Sequence, residues 1–310
     1  MDADRPKLIF LISQPRAGST LLQRMLASHS CIHTGAEPWF MLQPCFALKS
    51  EGQWAEYEAG GWAKQARDTF LKDIGGRDLH VRAIREMANV VYGAALGDTG
   101  KSCFLDKTPR YYTIIEELRE VIPEARTIIL LRNPLAVICS IVRTWVQDSW
   151  HRLPRYRDDL LKAPRLLNDA IKQHGDRVTV VKYEDLVSNP AGELESLCST
   201  LGFPFEAGML DYRSVGEDFA FGDPTGVHQH EQASAEHLDR WHDDVRDPQV
   251  WRLASDYLDF VDREVPALWE HDAARSRQLL DERKPGRLKL AATRSLEQML
   301  KSSDRVPDVI

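Results

Sequence analysis

Residues 8–22 read Leu8-Ile9-Phe10-Leu11-Ile12-Ser13-Gln14-Pro15-Arg16-Ala17-Gly18-Ser19-Thr20-Leu21-Leu22. The apolar run from Leu8 to Ile12 is too short to cross a membrane and has the composition of a strand that is buried on both faces. After a polar turn, apolar residues recur at helical spacing, at Leu21, Leu22, Met25 and Leu26. The stretch therefore predicts a buried strand, a tight turn and the start of a helix.

The turn between this strand and this helix has the features of an anion site. Backbone N–H groups at a helix start have no acceptor within the helix, and the helix dipole adds partial positive charge there. Gly18 lets the backbone approach a ligand, Ser19 and Thr20 offer hydroxyl groups, and Arg16 adds a full positive charge. This combination predicts a site for an anion, and phosphate is the anion that best fits it.

The composition is typical of a folded protein from a reducing compartment. The chain has 310 residues, of which 43% are hydrophobic, and a formal net charge of -7. This length allows one large α/β domain or two smaller ones, and the acidic balance argues against bulk binding of nucleic acid. The scattered cysteines lack metal-ligand spacing, so we interpret them as reduced thiols. The acidic N-terminus and the lack of a long apolar run predict a cytoplasmic protein without a transmembrane segment.

Strand and helix patterns alternate along the first two thirds of the chain. After the first strand, further strands are predicted at residues 31–34, 102–105, 127–131 and 178–181. Helices are predicted within residues 64–95 (two, separated near Gly75), and at 111–121, 134–147, 158–174 and 191–201. This order predicts an α/β fold, with a P-loop-type parallel sheet that is flanked by helices.

Polar residues follow four of the predicted strands. They are residues 13–19, Asp106-Lys107-Thr108, Arg132-Asn133 and Lys182-Tyr183. Because ligands of such sheets bind at the carboxyl ends of the strands, we expect these residues to line one site. Asn133 fits the cap of the helix that follows, and Pro134 fits its first position.

Three segments fall outside this alternation. Residues 39–98 are a predicted helical insertion, and its aromatic first part either lines a pocket or packs on the sheet. Residues 214–234 have little periodicity and predict a long surface loop or lid. Residues 275–310 form a basic amphipathic tail, which could dock on the body, pair two copies as a homodimer, or be partly disordered. We therefore divide the chain into a domain of residues 1–274 and a C-terminal helical extension of residues 275–310.

A nucleoside-triphosphate kinase or hydrolase is the first functional class to consider. Its phosphate loop needs a lysine before the hydroxyl residue, whereas here Ser19 follows Gly18 directly. Its magnesium ion needs a carboxylate at the end of a neighbouring strand, whereas the strand at 127–131 ends in Arg132. Both departures count against a kinase-like phosphotransferase and favour a donor that needs less charge neutralisation than ATP.

Two motifs resemble those of sulfotransferases that use 3′-phosphoadenosine 5′-phosphosulfate (PAPS). Residues 15–21 are similar to the 5′-phosphosulfate loop of that family, with Ala17 where serine is commoner. Arg132, with Ser140 eight residues later, is similar to its 3′-phosphate motif. Ser140 would lie in the second turn of a helix with its side chain directed back toward Arg132, so both could reach one phosphate. The resemblance covers residues 7–241 and is closest to the bacterial and tyrosylprotein-type branch.

The resemblance implies a sulfotransferase fold and a role for each matching residue. Donor binding falls to Arg16, Ala17, Gly18, Ser19, Thr20, Leu21, Arg132, Ser140 and Tyr183. Glu37, twenty-one residues after Arg16, is implied as the general base, and Lys107 as the contact of the bridging oxygen, with Arg16 assisting. From the residues alone, Glu37 also fits a solvated turn carboxylate, and Lys107 a surface ion pair with Asp106.

The implied reaction moves a sulfuryl group from PAPS to a hydroxyl or amine and releases 3′-phosphoadenosine 5′-phosphate (PAP), with no metal required. The acceptor stays open among small molecules, lipids, natural products and peptides. Trp39, Phe40 and His230 are candidate acceptor contacts. The alternative is a metal-independent nucleotide-binding regulatory module, in which Glu37 and Lys107 would be idle.

Overall fold

The computed structural model of the chain describes residues 6–49, 61–212, 238–268 and 270–301. Within these residues one parallel sheet is formed by β1 (Lys7–Ser13), β2 (Ile32–Thr34), β3 (Cys103–Lys107), β4 (Arg126–Leu131) and β5 (Val178–Lys182). The strands lie in the order β2-β3-β1-β4-β5, which makes β1 the central strand. The predicted fold class is confirmed.

Helices cover both faces of this sheet. In the first half of the chain they are α1 (Ser19–Ala27), α2 (Leu42–Phe46), α3 (Trp62–Lys72), α4 (Gly76–Leu96), α5 (Ile115–Val121) and α6 (Pro134–Ile141). In the second half they are α7 (Arg157–Leu161), α8 (Ala163–His174), α9 (Tyr183–Ser188), α10 (Pro190–Leu201), α11 (Trp241–Asp244), α12 (Pro248–Glu264), α13 (Glu270–Glu282), α14 (Arg287–Ala291) and α15 (Leu296–Leu300). None of these described helices is both long enough and apolar enough to span a membrane.

Alternate residues of β1 pack into two cores, one on each face of the sheet. Ile9 and Leu11 share a core with residues of α1, α9 and α10. Leu8, Phe10 and Ile12 share the other with residues of α4, α6 and α12. Because a strand covered on both faces has no solvent side, burial of this kind explains the unbroken apolar run.

The strand β3 extends two residues beyond its predicted end. Asp106 pairs in register with Phe10 of β1, and Lys107 pairs with Leu11. Both side chains are buried although both are ionisable. The sequence concealed this extension because charged residues ordinarily mark the end of a buried strand.

Three predicted continuous helices are interrupted. Residues 158–174 divide at Lys162 into α7 and α8, next to Pro164, which cannot donate a helical hydrogen bond. The helix that begins at Pro134 changes after Ile141 into a π-helical turn, Val142–Val146. The segment predicted at 111–121 consists of a 3₁₀ turn, Pro109–Thr113, followed by α5.

The described part of the C-terminal extension packs on the body. Leu280 and Met299 are buried in the core that contains α6 and α12. The indole Nε1 of Trp251 donates to the carbonyl of Leu280 over 2.8 Å. Docking is thus the arrangement that the described residues adopt, and α13 runs without a break through residue 274.

Candidate active site

The predicted anion loop joins the carboxyl end of β1 to α1. Arg16 and Gly18 both have left-handed backbone conformations, with φ of 71° and 97°. A Cβ atom at Gly18 would lie 2.4 Å from ring carbons of Tyr183, so no larger residue fits without a shift. The Leu21 amide donates to the Gly18 carbonyl over 3.0 Å and closes the first turn of α1. The loop therefore presents the start of α1 at the edge of the sheet where the strands end.

Glu37 and Lys107 form a buried ion pair beside this loop. Lys107 ends β3, and Glu37 lies three residues beyond β2, the neighbouring strand. Lys107 Nζ donates to Glu37 Oε1 over 2.7 Å, and the two side chains are only 4% and 9% exposed. Glu37 is therefore not a solvated turn carboxylate, and Lys107 does not form a surface pair with Asp106. A proton acceptor and a cation meet here at the strand ends.

Asp106, the residue before Lys107, points to the opposite face of β3. Its carboxylate accepts hydrogen bonds from the hydroxyl groups of Tyr92 (2.6 Å), Thr108 (2.8 Å) and Tyr111 (3.2 Å). Burial raises the pKa of Asp106 to about 6, and the negative charge of Glu37 acts in the same direction. The sequence had suggested Asp106 only as an ion partner of Lys107, and the tyrosines gave no signal because neither belongs to a motif that points to Asp106.

Arg132 and Ser140 meet the anion loop on its other side. Arg16 Nε donates to Ser140 Oγ over 3.1 Å, and Arg132 Nη1 donates to the Arg16 carbonyl over 3.0 Å. Ser140 is buried in α6, whose first turn is capped by the Asn133 side chain as predicted. The structure thus brings Arg16 of the first predicted phosphate motif together with Arg132 and Ser140 of the second.

The guanidinium of Arg132 lies over the ring of Tyr183, 4.3 Å from its centroid. Burial lowers the pKa of Arg132, yet arginine keeps its charge at neutral pH. Its Nε atom is buried without a hydrogen-bond partner among the described residues. Arg132 is therefore a buried cation with an unsatisfied donor, beside a loop in which only glycine fits at position 18. Both features suit an anionic ligand. Tyr183 holds this arrangement, since its ring contacts both Gly18 and Arg132.

An aromatic and cationic wall stands next to Glu37. The Arg110 guanidinium lies 5.7 Å from the Trp39 ring centroid and 5.9 Å from that of Trp145. Asp159 fixes Arg110 through two parallel hydrogen bonds, of 2.9 and 2.7 Å. Trp39 lies two residues after Glu37 and has a left-handed φ of 52°, a backbone conformation that is strained for a tryptophan. Sequence reasoning missed both Arg110 and Trp145. Arg110 falls between the polar end of β3 and the helix predicted at 111–121, and Trp145 lies five residues beyond Ser140, the last residue of the second motif.

Of the other two candidate acceptor contacts, the structure describes Phe40 but not His230. Phe40 packs edge-on against Tyr92, with ring centroids 5.8 Å apart, and is partly buried against the core. His230 and the predicted loop at 214–234 lie outside the described residues. Among the described residues, no cluster of three or more histidine, cysteine or acidic side chains could hold a metal ion.

Comparison with known proteins gives consistent matches. A model of the sulfotransferase family matches residues 6–207. Nodulation protein NoeE of Sinorhizobium fredii is 32% identical over 222 residues, which are 64% of this chain and 50% of that protein. Protein-tyrosine sulfotransferase 1 of Danio rerio is 24% identical over 211 residues, 67% of this chain and 56% of that protein. This chain therefore spans about half the length of the curated relatives it matches.

A solved structure matches at the level of the fold. The sulfotransferase domain from the curacin biosynthetic pathway superposes with a TM-score of 0.51 at 24% identity. The match covers 76% of this chain and 90% of that domain.

Proposed function

Because this chain belongs to the sulfotransferase family, we propose that it transfers the sulfuryl group of PAPS to an acceptor hydroxyl or amine and releases PAP. The observation that carries the proposal is the buried Glu37–Lys107 pair at the strand ends, next to the Gly18 loop. A module that only bound a nucleotide would have no use for a buried proton acceptor and cation at this place.

Donor binding is assigned to two anion sites. The amides that begin α1 at Gly18, Ser19 and Thr20 would hold the 5′-phosphosulfate, since helix starts supply donors that lack helical acceptors. Arg132 and Ser140 would hold the 3′-phosphate, which supplies the partner that Arg132 Nε lacks among the described residues. Arg16 lies between the two sites, within hydrogen-bond distance of Ser140.

The chemistry divides between the two members of the ion pair. PAPS supplies an activated sulfuryl group, and PAP is the leaving group. Glu37 takes the proton of the acceptor as the new oxygen–sulfur or nitrogen–sulfur bond forms. Lys107 donates to the phosphate oxygen from which the sulfuryl group departs, where negative charge accumulates. Glu37 Oε1 accepts from Lys107, so Oε2 would be the oxygen that takes the acceptor's proton.

A phenolic hydroxyl is the acceptor that best fits the wall beside Glu37. Trp39, which is partly exposed two residues after Glu37, offers flat apolar surface on which an aromatic ring can stack, and Trp145 is already stacked on Tyr156 behind Arg110. The names of several relatives, protein-tyrosine sulfotransferases, support the same class. All five cysteines are free thiols, which supports action in a reducing compartment such as the cytoplasm.

Donor identity is tested by thermal denaturation, with PAP added in the absence of magnesium. PAP at a hundred times its dissociation constant should stabilise the protein by about 2.7 kcal/mol. For a chain of this size that corresponds to a rise in Tm of roughly 5 °C. ATP, with or without magnesium, should give no comparable rise. Stabilisation by magnesium–ATP and none by PAP would establish the kinase-like alternative instead.

The 3′-phosphate site is tested by Arg132→Met. Loss of a charge-assisted contact should weaken PAP binding about 50-fold, measured by calorimetry. Arg126→Met is the matched control, because Arg126 is the exposed first residue of β4, the strand that Arg132 directly follows. Equal PAP affinities of the two variants would remove Arg132 from the donor site.

Acceptor binding is tested by Trp39→Ala with a tyrosine-containing peptide as probe. Loss of the stacking surface should raise KM for the peptide about tenfold and leave PAP affinity unchanged. Trp62→Ala is the control, since Trp62 is 70% exposed on α3 and should have no effect. An unchanged KM for Trp39→Ala would place the acceptor elsewhere.

A further inference from the structure

Three hydroxyl groups converge on Asp106 beneath the Glu37–Lys107 pair. Tyr92 comes from α4, Thr108 from the residue after β3, and Tyr111 from the 3₁₀ turn that follows. Asp106 is 1% exposed, Tyr92 is 1% exposed, and Tyr111 has no exposed surface. A carboxylate in such a place, with hydroxyl donors and no hydrogen-bonded cation among the described residues, is costly to bury. The free-energy cost of burying Asp106 indicates that this residue has a role other than packing.

Tyr111 differs from the other two donors because its hydroxyl makes a second bond. The oxygen of Tyr111 accepts a hydrogen bond from the backbone amide of Met41 over 2.9 Å. Met41 is fully buried and lies four residues after Glu37. A continuous path of covalent and hydrogen bonds therefore runs from Lys107 through Asp106 and Tyr111 to the segment that carries Glu37.

The segment at residues 35–41 belongs to no helix or strand, so side-chain contacts set its position. It follows the last residue of β2 and precedes α2, and it contains the left-handed Trp39. Its position relative to β3 is set by the few bonds that cross to it. The hydrogen bond between Tyr111 and the Met41 amide is one of these bonds. Tyr111 in turn donates to Asp106, the residue next to Lys107.

We infer that Asp106 and Tyr111 are positioning residues, which set Glu37 at the correct distance from Lys107 and from the acceptor. The inference rests on the proposed function, since it assigns these residues to the same reaction. Neither residue touches the donor or the acceptor in this assignment. A misplacement of about 1 Å at reacting groups can lower the rate by as much as a hundredfold, so a single distant hydroxyl can matter.

Two matched variants, Tyr111→Phe and Tyr92→Phe, separate positioning from packing. Each keeps its ring and removes one hydroxyl donor from Asp106, and Tyr92 keeps its edge contact with Phe40. Within the described residues, Tyr111 alone of the two also hydrogen-bonds to the 35–41 segment. In Tyr111→Phe we expect the Met41 amide to exchange with deuterium about tenfold faster. We also expect kcat with the tyrosine peptide to fall about tenfold, with PAP affinity unchanged.

Tyr92→Phe should change both quantities by less than about twofold, because its loss leaves the path to Met41 intact. Equal losses in the two variants, or an unchanged Met41 amide in Tyr111→Phe, would overturn the inference. If Tyr111→Phe fails to fold, Asp106→Asn is used, and faster exchange at Met41 is again expected. If the wild-type protein binds PAP but transfers sulfate to no acceptor, the proposed function fails. The exchange measurement then still decides whether Tyr111 holds the segment.

Discussion

Glu37→Gln is expected to lower kcat about a thousandfold while PAP affinity stays within a factor of two, which is the range expected for loss of a general base. The amide is close in shape to the carboxylate, and its oxygen can still accept from Lys107 as Glu37 Oε1 does. What it cannot do is take a proton from the acceptor. Single-turnover transfer to the tyrosine peptide, beside calorimetry with PAP, measures the two effects separately.

Glu117→Gln is the matched control for that experiment. Glu117 also pairs with a lysine, Lys49, over 3.0 Å, and its side chain is 12% exposed. The same chemical change is thus made in a similar ion pair away from the strand ends. Activity of Glu37→Gln equal to that of Glu117→Gln would dismiss Glu37 as the base.

Gly18→Ala should abolish donor binding and destabilise the protein. An L-residue in a left-handed conformation costs about 1–2 kcal/mol, and here the new methyl group also overlaps the Tyr183 ring. The Tyr183 ring would have to move, and the Arg132 guanidinium packs on the same ring. One methyl group at residue 18 would therefore disturb both proposed anion sites. Calorimetry should detect no PAP binding, and Tm should fall by several degrees.

Gly93→Ala separates this effect from that of alanine in general. Gly93 lies within α4, has no atom near the position of a Cβ, and should gain stability by about 0.5–1 kcal/mol when replaced. If Gly18→Ala bound PAP as the wild type does, the loop would not be part of the donor site.

The sequence predicted the parts of the fold that depend on local pattern. The strand, loop and helix at 8–22 were predictable because strand burial, turn chemistry and helical spacing each have a local signature. The polar strand ends were predictable for the same reason, since parallel strands must deliver them to one edge. What the local pattern could not supply was the contact between Glu37 and Lys107, which are 70 residues apart. The resemblance implied both residues without showing that they pair.

The rest of the site depends on contacts that no periodicity records. Arg110 is fixed by Asp159, 49 residues away, and Trp145 reaches the site because α6 gives way to a π-helical turn. A π-helical turn rotates the following side chains relative to an α-helix, and such turns frequently occur at functional sites. The extension of β3 over Asp106 was hidden because, among the described residues, hydroxyl groups and not a cation hydrogen-bond to this carboxylate, and two of these hydroxyl groups belong to Tyr92 and Tyr111 outside the strand.

The match to the family model ends at residue 207, yet residues beyond it anchor the anion loop. Gln14, two residues before Arg16, donates to the hydroxyl of Tyr257 in α12 over 2.7 Å. Asn133, which caps the helix of Ser140, donates to Ser276 in α13 over 3.0 Å. A substitution in these C-terminal helices would therefore change the proposed donor site without altering either phosphate motif. A fragment trimmed at the family boundary would keep both phosphate motifs and lose the supports that hold them in place.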